Sequence, residues 1–188
     1  VSPVRYELPG GVVSLRAGAT GGLLAWVARQ FHSRVENLVW PGCWGYNYRE
    51  IRGATELSNH SSGTALDLNA PLHPLGTDPT ANFSVAEIRE IRAILAETEG
   101  CVRWGGDYTG RKDPMHFEIN DSERRCAAVL AKLNSQTDWI DMATKEELTA
   151  AIHDGTLSAN KEFWWHPYTD PATGKPGRLI EIDVTEKI

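Results

Sequence analysis

The stretch Gly63-Thr-Ala-Leu-Asp-Leu-Asn69 decides the fold, because its side chains alternate in character with the period of two of a β-strand. Asp67 and Asn69 share one face, and Leu66 and Leu68 share the other. An acid between two leucines must be solvated or paired, since burying an unpaired charge is costly. The stretch therefore predicts a strand with an apolar core face and a polar face that is free for chemistry.

A second stretch, Met115-His-Phe-Glu-Ile-Asn120, has the same alternation. His116 and Glu118 fall on its polar face, and Phe117 falls on its apolar face. If the two strands are neighbours, Asp67 and His116 can meet across the sheet within metal-binding reach.

The remaining patterns place helices around these strands. Apolar residues at near-helical spacing predict a helix over residues 22–37, and the capping box Ser84-Val-Ala-Glu87 predicts a second helix that Gly100 ends. Asp121 is predicted to cap a third helix that reaches about Leu133, with Ala127, Leu130 and Leu133 facing inward. Short strands are predicted over residues 11–15 and 101–104. The predicted fold class is α+β, with a small antiparallel sheet flanked by helices.

The composition changes after Asn134, which predicts a catalytic domain over residues 1–134 and a linker with a small extension over residues 135–188. Residues 134–142 read as the linker. A second capping box, Thr144-Lys-Glu-Glu147, predicts a short helix that ends near Gly155. Residues around Trp164 and from 179 to 184 are predicted to form a strand pair.

The net charge, the hydropathy pattern and the cysteine count disfavour several classes of protein. The 188 residues carry a net charge of −6, which disfavours nucleic-acid binding. No apolar run reaches about 18 residues, so no membrane span is predicted, and the N-terminus lacks a signal-peptide pattern. Three widely spaced cysteines do not form a disulfide framework. We expect synthesis in a reducing cytoplasm.

His60 lies seven residues before Asp67, in a loop rich in Ser, Asn and Gly that can fold back over the strand end. Together with His116 these residues supply two imidazoles and one carboxylate, a ligand set that leaves a fourth position open on zinc. An open position is typical of catalytic sites, whereas structural sites are usually closed by four protein ligands. Taken singly, His60 also fits an ordinary loop histidine and His116 a core histidine.

Such a site needs a base. Asp113 lies three residues before His116, and Pro114 keeps this segment out of the regular strand ladder. Glu118 is the competing candidate, although strand alternation favours it as a partner for a ligand imidazole. Asp113 also fits a plain turn residue before a proline.

The chain resembles a known family at these residues. Ser58-Asn-His-Ser-Ser-Gly-Thr-Ala-Leu-Asp67 matches the SxHxxGxAxD signature of VanY-like D-alanyl-D-alanine carboxypeptidases and related phage L-alanyl-D-glutamate endopeptidases. Trp104-Gly-Gly-Asp107 and Asp113-Pro-Met-His-Phe-Glu118 are similar to the family's WGGD and DxxHFE segments. The aspartate of DxxH, where many carboxypeptidases have glutamate, favours the phage endolysin branch. The segments Asn47-Tyr-Arg49 and Asn69-Ala-Pro-Leu-His-Pro-Leu-Gly76 also resemble lysins of phages that infect actinobacteria.

The resemblance implies a single-zinc peptidase that cuts peptidoglycan stem peptides, with the LAS or hedgehog-type fold. It assigns His60, Asp67 and His116 as ligands of one Zn²⁺ ion and Asp113 as the catalytic acid/base. An arginine that steadies the substrate or the oxyanion is expected upstream, with Arg49 as the best fit and Arg52 close behind.

Several expectations go with this assignment. The endolysin would be made in the host cytoplasm and act at the bacterial cell wall, as a monomer that can be fused to other lysin domains. The bond cut, either L-Ala-D-Glu or one that contains D-Ala, stays open. The rival functions are a non-catalytic, zinc-containing wall-binding module of the same fold and a domain in which zinc only supports folding.

Overall fold

The computed structural model describes residues 2–48, 58–142, 161–169 and 176–183, with side chains described for residues 2–48 and 58–135. Contacts between residues divide the chain into two compact units, residues 1–131 and residues 132–188. The predicted domain boundary at residue 134 stays a prediction.

A three-stranded antiparallel sheet forms the centre of the first unit. Its strands are β3 (Ala65–Asp67), β4 (Val102–Trp104) and β5 (His116–Ile119), in the order β3-β5-β4. The pairing places Asp67 opposite His116 and Leu66 opposite Phe117. The two predicted strands are therefore neighbours, with their polar faces aligned.

Two helices support this sheet. Helix α1 (Ala19–Arg34) packs against β5 and against α2 (Val85–Glu97). Phe31 of α1 meets Phe117 edge to face, with ring centroids 5.9 Å apart. The capping box at the start of α2 is confirmed, because Ser84 Oγ accepts a hydrogen bond from the Glu87 N–H and the Glu87 carboxylate accepts one from the Ser84 N–H. With these helices and small antiparallel sheets, the α+β prediction is confirmed.

The N-terminal segment contains more structure than its sequence predicts. Strands β1 (Pro3–Leu8) and β2 (Gly11–Arg16) form an antiparallel hairpin, where only one short strand was expected. Most of β1 is exposed, so it shows little of the apolar alternation that identifies a half-buried strand. Pairing with β2 fixes it instead.

The third helix, α3 (Glu123–Met142), differs from its prediction in three ways. Its first turn is capped by Ser122, whose Oγ accepts a hydrogen bond from the Arg125 N–H at 3.3 Å, and not by Asp121. Its buried face includes Cys126 and Val129, whereas Ala127, predicted to face inward, is exposed. The helix also continues through residues 134–142, beyond its predicted end near Leu133, and the interpretation of these residues as a linker stays a prediction.

The second unit contains strands β6 (Lys161–Thr169) and β7 (Pro176–Asp183), which form the predicted strand pair, and the pairing is antiparallel. The helix predicted after Thr144 lies outside the described residues. None of the helices in the described ranges is long and apolar enough to cross a membrane. All three cysteines are free and buried.

Candidate metal centre

The β3-β5 pairing brings a carboxylate and an imidazole together at one end of the sheet. Asp67 and His116 are direct cross-strand partners, and both are buried. Asp67 Oδ1 lies 2.9 Å from His116 Nδ1. The polar face expected from the alternation thus lies inside the protein, where a charged group must have partners.

His60 reaches this pair from a short 3-10 helix, Asn59–Ser62. Ser58 caps the helix, since its Oγ accepts a hydrogen bond from the His60 N–H at 3.3 Å. Gly63 ends the helix with φ 68°, and a β-carbon there would come within 2.6 Å of the Arg16 nitrogen. Only glycine fits both the left-handed backbone and this close approach, so the Gly63 of the signature sets the direction of the loop.

Three donor atoms then form a small triangle. His60 Nε2 lies 3.2 Å from both Asp67 Oδ1 and His116 Nδ1, and the third side is the 2.9 Å between Asp67 and His116. Ligands about 2.0–2.1 Å from a tetrahedral zinc ion are about 3.3 Å from one another. The three residues could therefore hold a metal ion, and their spacing and donor types fit zinc.

Hydrogen bonds on the far side of each ring fix which nitrogen faces the triangle. His60 Nδ1 lies 2.6 Å from the Gly45 carbonyl, which can only accept, so Nδ1 carries the proton and Nε2 keeps its lone pair. His116 Nε2 faces Glu118 Oε2, an acceptor, at 3.5 Å, so Nε2 carries the proton and Nδ1 has the lone pair that can bind a metal. Such outer partners are typical of metal-binding histidines.

The charges of the triangle depend on each other. Burial by itself raises the pKa of Asp67, but its contacts with His116 and His60 outweigh it and hold the pKa below its usual range. Burial likewise lowers the pKa of His116, yet its bonds to Asp67 and Glu118 raise that pKa to about 9. Without a metal, a protonated His116 balances the buried carboxylates, and a cation at the centre would take over this role.

Asp113 lies on a segment that the backbone holds in place. Its N–H donates to the Gly105 carbonyl at 3.0 Å, and its own carbonyl accepts from the His116 N–H at 3.0 Å. Its Oδ1 is buried and has no hydrogen-bond partner. Burial raises the pKa of this carboxyl to about 6, and the charges of His116, Asp67, His60 and Arg111 act on it less strongly. A half-buried carboxylate with a buried, unused oxygen and a pKa near neutrality suits a general base.

A family model described as D-alanyl-D-alanine carboxypeptidase matches residues 52–119. The matched segment contains His60, Asp67, Asp113 and His116 and covers about a third of the 188 residues. No curated protein and no solved structure matches the chain. The match supports a metallopeptidase, whereas the endolysin assignment stays a prediction.

 The Trp104 indole donates a hydrogen bond to the Pro114 carbonyl at 2.7 Å and is almost fully buried. It therefore supports the segment that carries Asp113, here called the base segment, and does not line an open cleft. A β-carbon on Gly105 would lie 2.4 Å from the Asp113 carbonyl oxygen. The turn therefore needs a glycine there because the base segment packs directly on its backbone.

Glu118 connects the centre to a second layer of side chains. It is 3% exposed, yet its carboxylate accepts hydrogen bonds from Arg103 Nε at 2.5 Å, from the Tyr108 hydroxyl at 2.5 Å and from Asn59 Nδ2. Burial raises the pKa of Glu118, but the bonds from His116, Tyr108 and Asn59 outweigh it and hold the pKa well below its usual range. A carboxylate that stays ionised and fully occupied orients an imidazole and is a poor candidate for the base.

Other predicted residues have different outcomes. Arg49 and Arg52, the candidates for the oxyanion arginine, lie outside the described residues. Asp107, the last residue of the Trp104-Gly-Gly-Asp107 segment, pairs with Arg92 at 2.7 Å. Ser58, the first residue of the other signature, caps the loop helix.

Sequence reasoning missed Tyr108, Asn59 and the Gly45 carbonyl as outer partners. Tyr108 directly follows the Gly105-Gly106-Asp107 turn, so its position beside a motif was the available signal. The Gly45 carbonyl carries no side-chain signal at all. The segment that contains Gly45 is positioned by backbone bonds, with the Trp44 N–H donating to the Asp67 carbonyl at 2.9 Å and the Tyr46 N–H to the Ser14 carbonyl at 2.6 Å.

Proposed function

We propose that this protein is a zinc-dependent peptidase that hydrolyses an amide bond in the stem peptide of peptidoglycan. One observation carries the proposal: a buried triangle of His60, Asp67 and His116 donor atoms, with the unpartnered Asp113 carboxylate on an adjoining segment. A purely structural metal site has no need of an unpaired buried carboxylate, which costs stability.

The roles of the chain's own groups follow from their contacts. Asp113 Oδ1 accepts a proton from the attacking water and later donates it to the leaving amine. The Gly45 carbonyl and Glu118 keep the two imidazoles turned toward the centre, as described above. A zinc ion bound there would supply Lewis-acid chemistry, lowering the pKa of water and polarising the scissile carbonyl.

The developing oxyanion also needs a positive donor. Arg49 is the first candidate and Arg52 the second, as the family resemblance implies. One donor of this kind is commonly worth about 10²–10³ in kcat. Removing the correct arginine should therefore lower kcat strongly while zinc stays bound.

The finer assignment rests on the sequence resemblance. The aspartate at the first position of Asp113-Pro-Met-His116 favours an endolysin that acts at the bacterial cell wall, and we propose the L-Ala-D-Glu bond or a bond that contains D-Ala as the site of cleavage. We further propose that the enzyme works as a monomer.

The test is hydrolysis of purified peptidoglycan by the zinc-loaded full chain, with the products identified by mass spectrometry. Asp113→Asn should lose turnover and keep one zinc per chain, measured by elemental analysis. His60→Ala should lose both zinc and turnover. Asp121→Asn, which removes an exposed carboxylate outside the centre, is the matched control and should retain activity.

The outcomes separate the rival functions. If the zinc-loaded wild type binds muropeptides but releases no products, the protein is a wall-binding module and the proposed peptidase function is wrong. If chelation unfolds the chain, as followed by circular dichroism, and no activity is found, the metal serves folding alone. A catalytic site predicts instead that chelation abolishes activity with the fold largely kept.

A further inference from the structure

A cavity of about 440 Å³ lies between the start of α2 and the loop that carries Asp113. Its described lining includes three cations, Arg89, Arg92 and Lys112, and one acid, Asp78. We call it the basic cavity. A surplus of positive charge in one concave site stands out in a chain whose net charge is −6.

The charges of the basic cavity are only partly neutralised. Arg92 is paired with Asp107 at 2.7 Å. The Asp78 carboxylate accepts hydrogen bonds from the Thr80 N–H at 2.9 Å and from the Thr80 hydroxyl at 2.6 Å. The side chains of Arg89 and Lys112 make no hydrogen bond and no ion pair within 4.0 Å in the described part of the chain, although the charge of Lys112 acts weakly on Asp78. Two cations are therefore available to an anionic ligand.

Two residues that line this cavity are direct neighbours in sequence of the segments that hold Asp113. Lys112 directly precedes Asp113, and its carbonyl accepts a hydrogen bond from the Gly76 N–H at 2.7 Å. Gly106, which also lines the cavity, follows the Gly105 whose carbonyl holds the Asp113 N–H. The cavity lining and Asp113 thus lie on the same two backbone segments, each held by a backbone hydrogen bond.

We infer that the basic cavity binds a free carboxylate of the substrate peptide, away from the bond that is cut, through Arg89 and Lys112. The inference rests on the proposed function, since it names the part of an acidic stem peptide that the enzyme selects. Charge-assisted hydrogen bonds from arginine and lysine to a carboxylate are about twice as strong as neutral ones, which suits them to this selection. Arg92, already paired, would contribute less.

The test uses the zinc-loaded full chain and two synthetic stem peptides that differ only in one group: a free D-glutamyl carboxylate or its carboxamide. The variant is Arg89→Gln with Lys112→Gln. Arg124→Gln, an exposed cation on α3 that does not line the cavity, is the matched control. Wild type should have a KM about tenfold lower for the carboxylate peptide, or about 1.4 kcal/mol. The double variant should lose this preference with little change in kcat, and the control should keep it.

Calorimetric binding of both peptides to Asp113→Asn, with and without the double substitution, gives a readout that does not need turnover. Carboxylate-dependent binding that the double substitution removes supports the inference, even if wild type cleaves neither peptide and the proposed function fails. Equal affinity for both peptides, or an undiminished preference in the double variant, overturns the inference and leaves hydrolysis untouched. Thermal melting of each variant confirms that these surface changes leave the fold intact.

Discussion

Asp113→Asn should stabilise the metal-free protein while it abolishes activity. Asparagine has nearly the shape of aspartate, so the substitution leaves no cavity, and it removes a charge that burial opposes. The direction of this stability change follows from the pKa of Asp113, which burial raises from 3.8 in the unfolded chain to about 6 in the folded protein. A carboxyl with a raised pKa binds its proton more tightly in the folded state, so the stability of the wild type falls as pH rises from 3.8 to about 6.

The magnitude comes from the same two values. A rise from 3.8 to about 6 corresponds to about 3 kcal/mol for a fully buried group, at 1.36 kcal/mol per pKa unit. Asp113 is only partly buried, and solvent screening reduces this to roughly 1–2 kcal/mol. For a chain of this length the melting temperature should rise by roughly 2–8 °C. The gain in stability of Asp113→Asn over the wild type should be complete above about pH 6 and absent below about pH 4.

The assay is thermal or urea unfolding of the metal-free wild type and Asp113→Asn at pH 4, 5, 6 and 7, read by circular dichroism. Groups that titrate in both proteins contribute equally to both free energies of unfolding, so their contribution cancels in the difference. Asp121→Asn is the control and should show no gain at any pH. Loss of a general base should in parallel lower kcat by about 10²–10⁴ in the zinc-loaded form. An Asn variant that is less stable than wild type at pH 7, or that keeps near-normal turnover, would refute the account of Asp113.

Three further outcomes are expected. Glu118→Gln should weaken zinc binding about 10–100-fold, measured by competition with a chelator, because the amide cannot hold the His116 ring as the carboxylate does; an unchanged affinity would exclude that role. Gly105→Ala should disturb the base segment and lower kcat, since its β-carbon would lie 2.4 Å from the Asp113 carbonyl, whereas Gly110→Ala, with nothing within 4 Å, should behave as wild type. The rate kcat/KM should fall about tenfold per pH unit below the pKa of Asp113, near 6 or lower with a cation bound, and a profile flat down to pH 4 would contradict Asp113 as the base.

Helix ends show where local sequence was sufficient and where it was not. The capping box at Ser84 and Glu87 is complete within four residues, so the start of α2 could be predicted. Helix α1 has no side-chain cap of its own at Gly18. The Glu123 carboxylate, far along the chain, accepts hydrogen bonds from the Ala19 and Thr20 N–H groups at 2.5 and 3.4 Å. The true start of α1 therefore depends on a tertiary contact that no local pattern reports.

In the candidate centre, too, some features follow from local sequence and others only from the tertiary structure. Alternation along β3 and β5 is a property of extended backbone, so the sequence by itself determined that Asp67 and His116 share a face and can meet. The orientation of each imidazole was decided only by the fold, because it depends on acceptors brought from elsewhere: the Gly45 carbonyl for His60, and for His116 a Glu118 held by Tyr108 and by other side chains. The residue types that can bind a metal are visible in the sequence. The packing of distant segments decides which of their atoms face the centre, and it also leaves Asp113 Oδ1 buried without a hydrogen-bond partner.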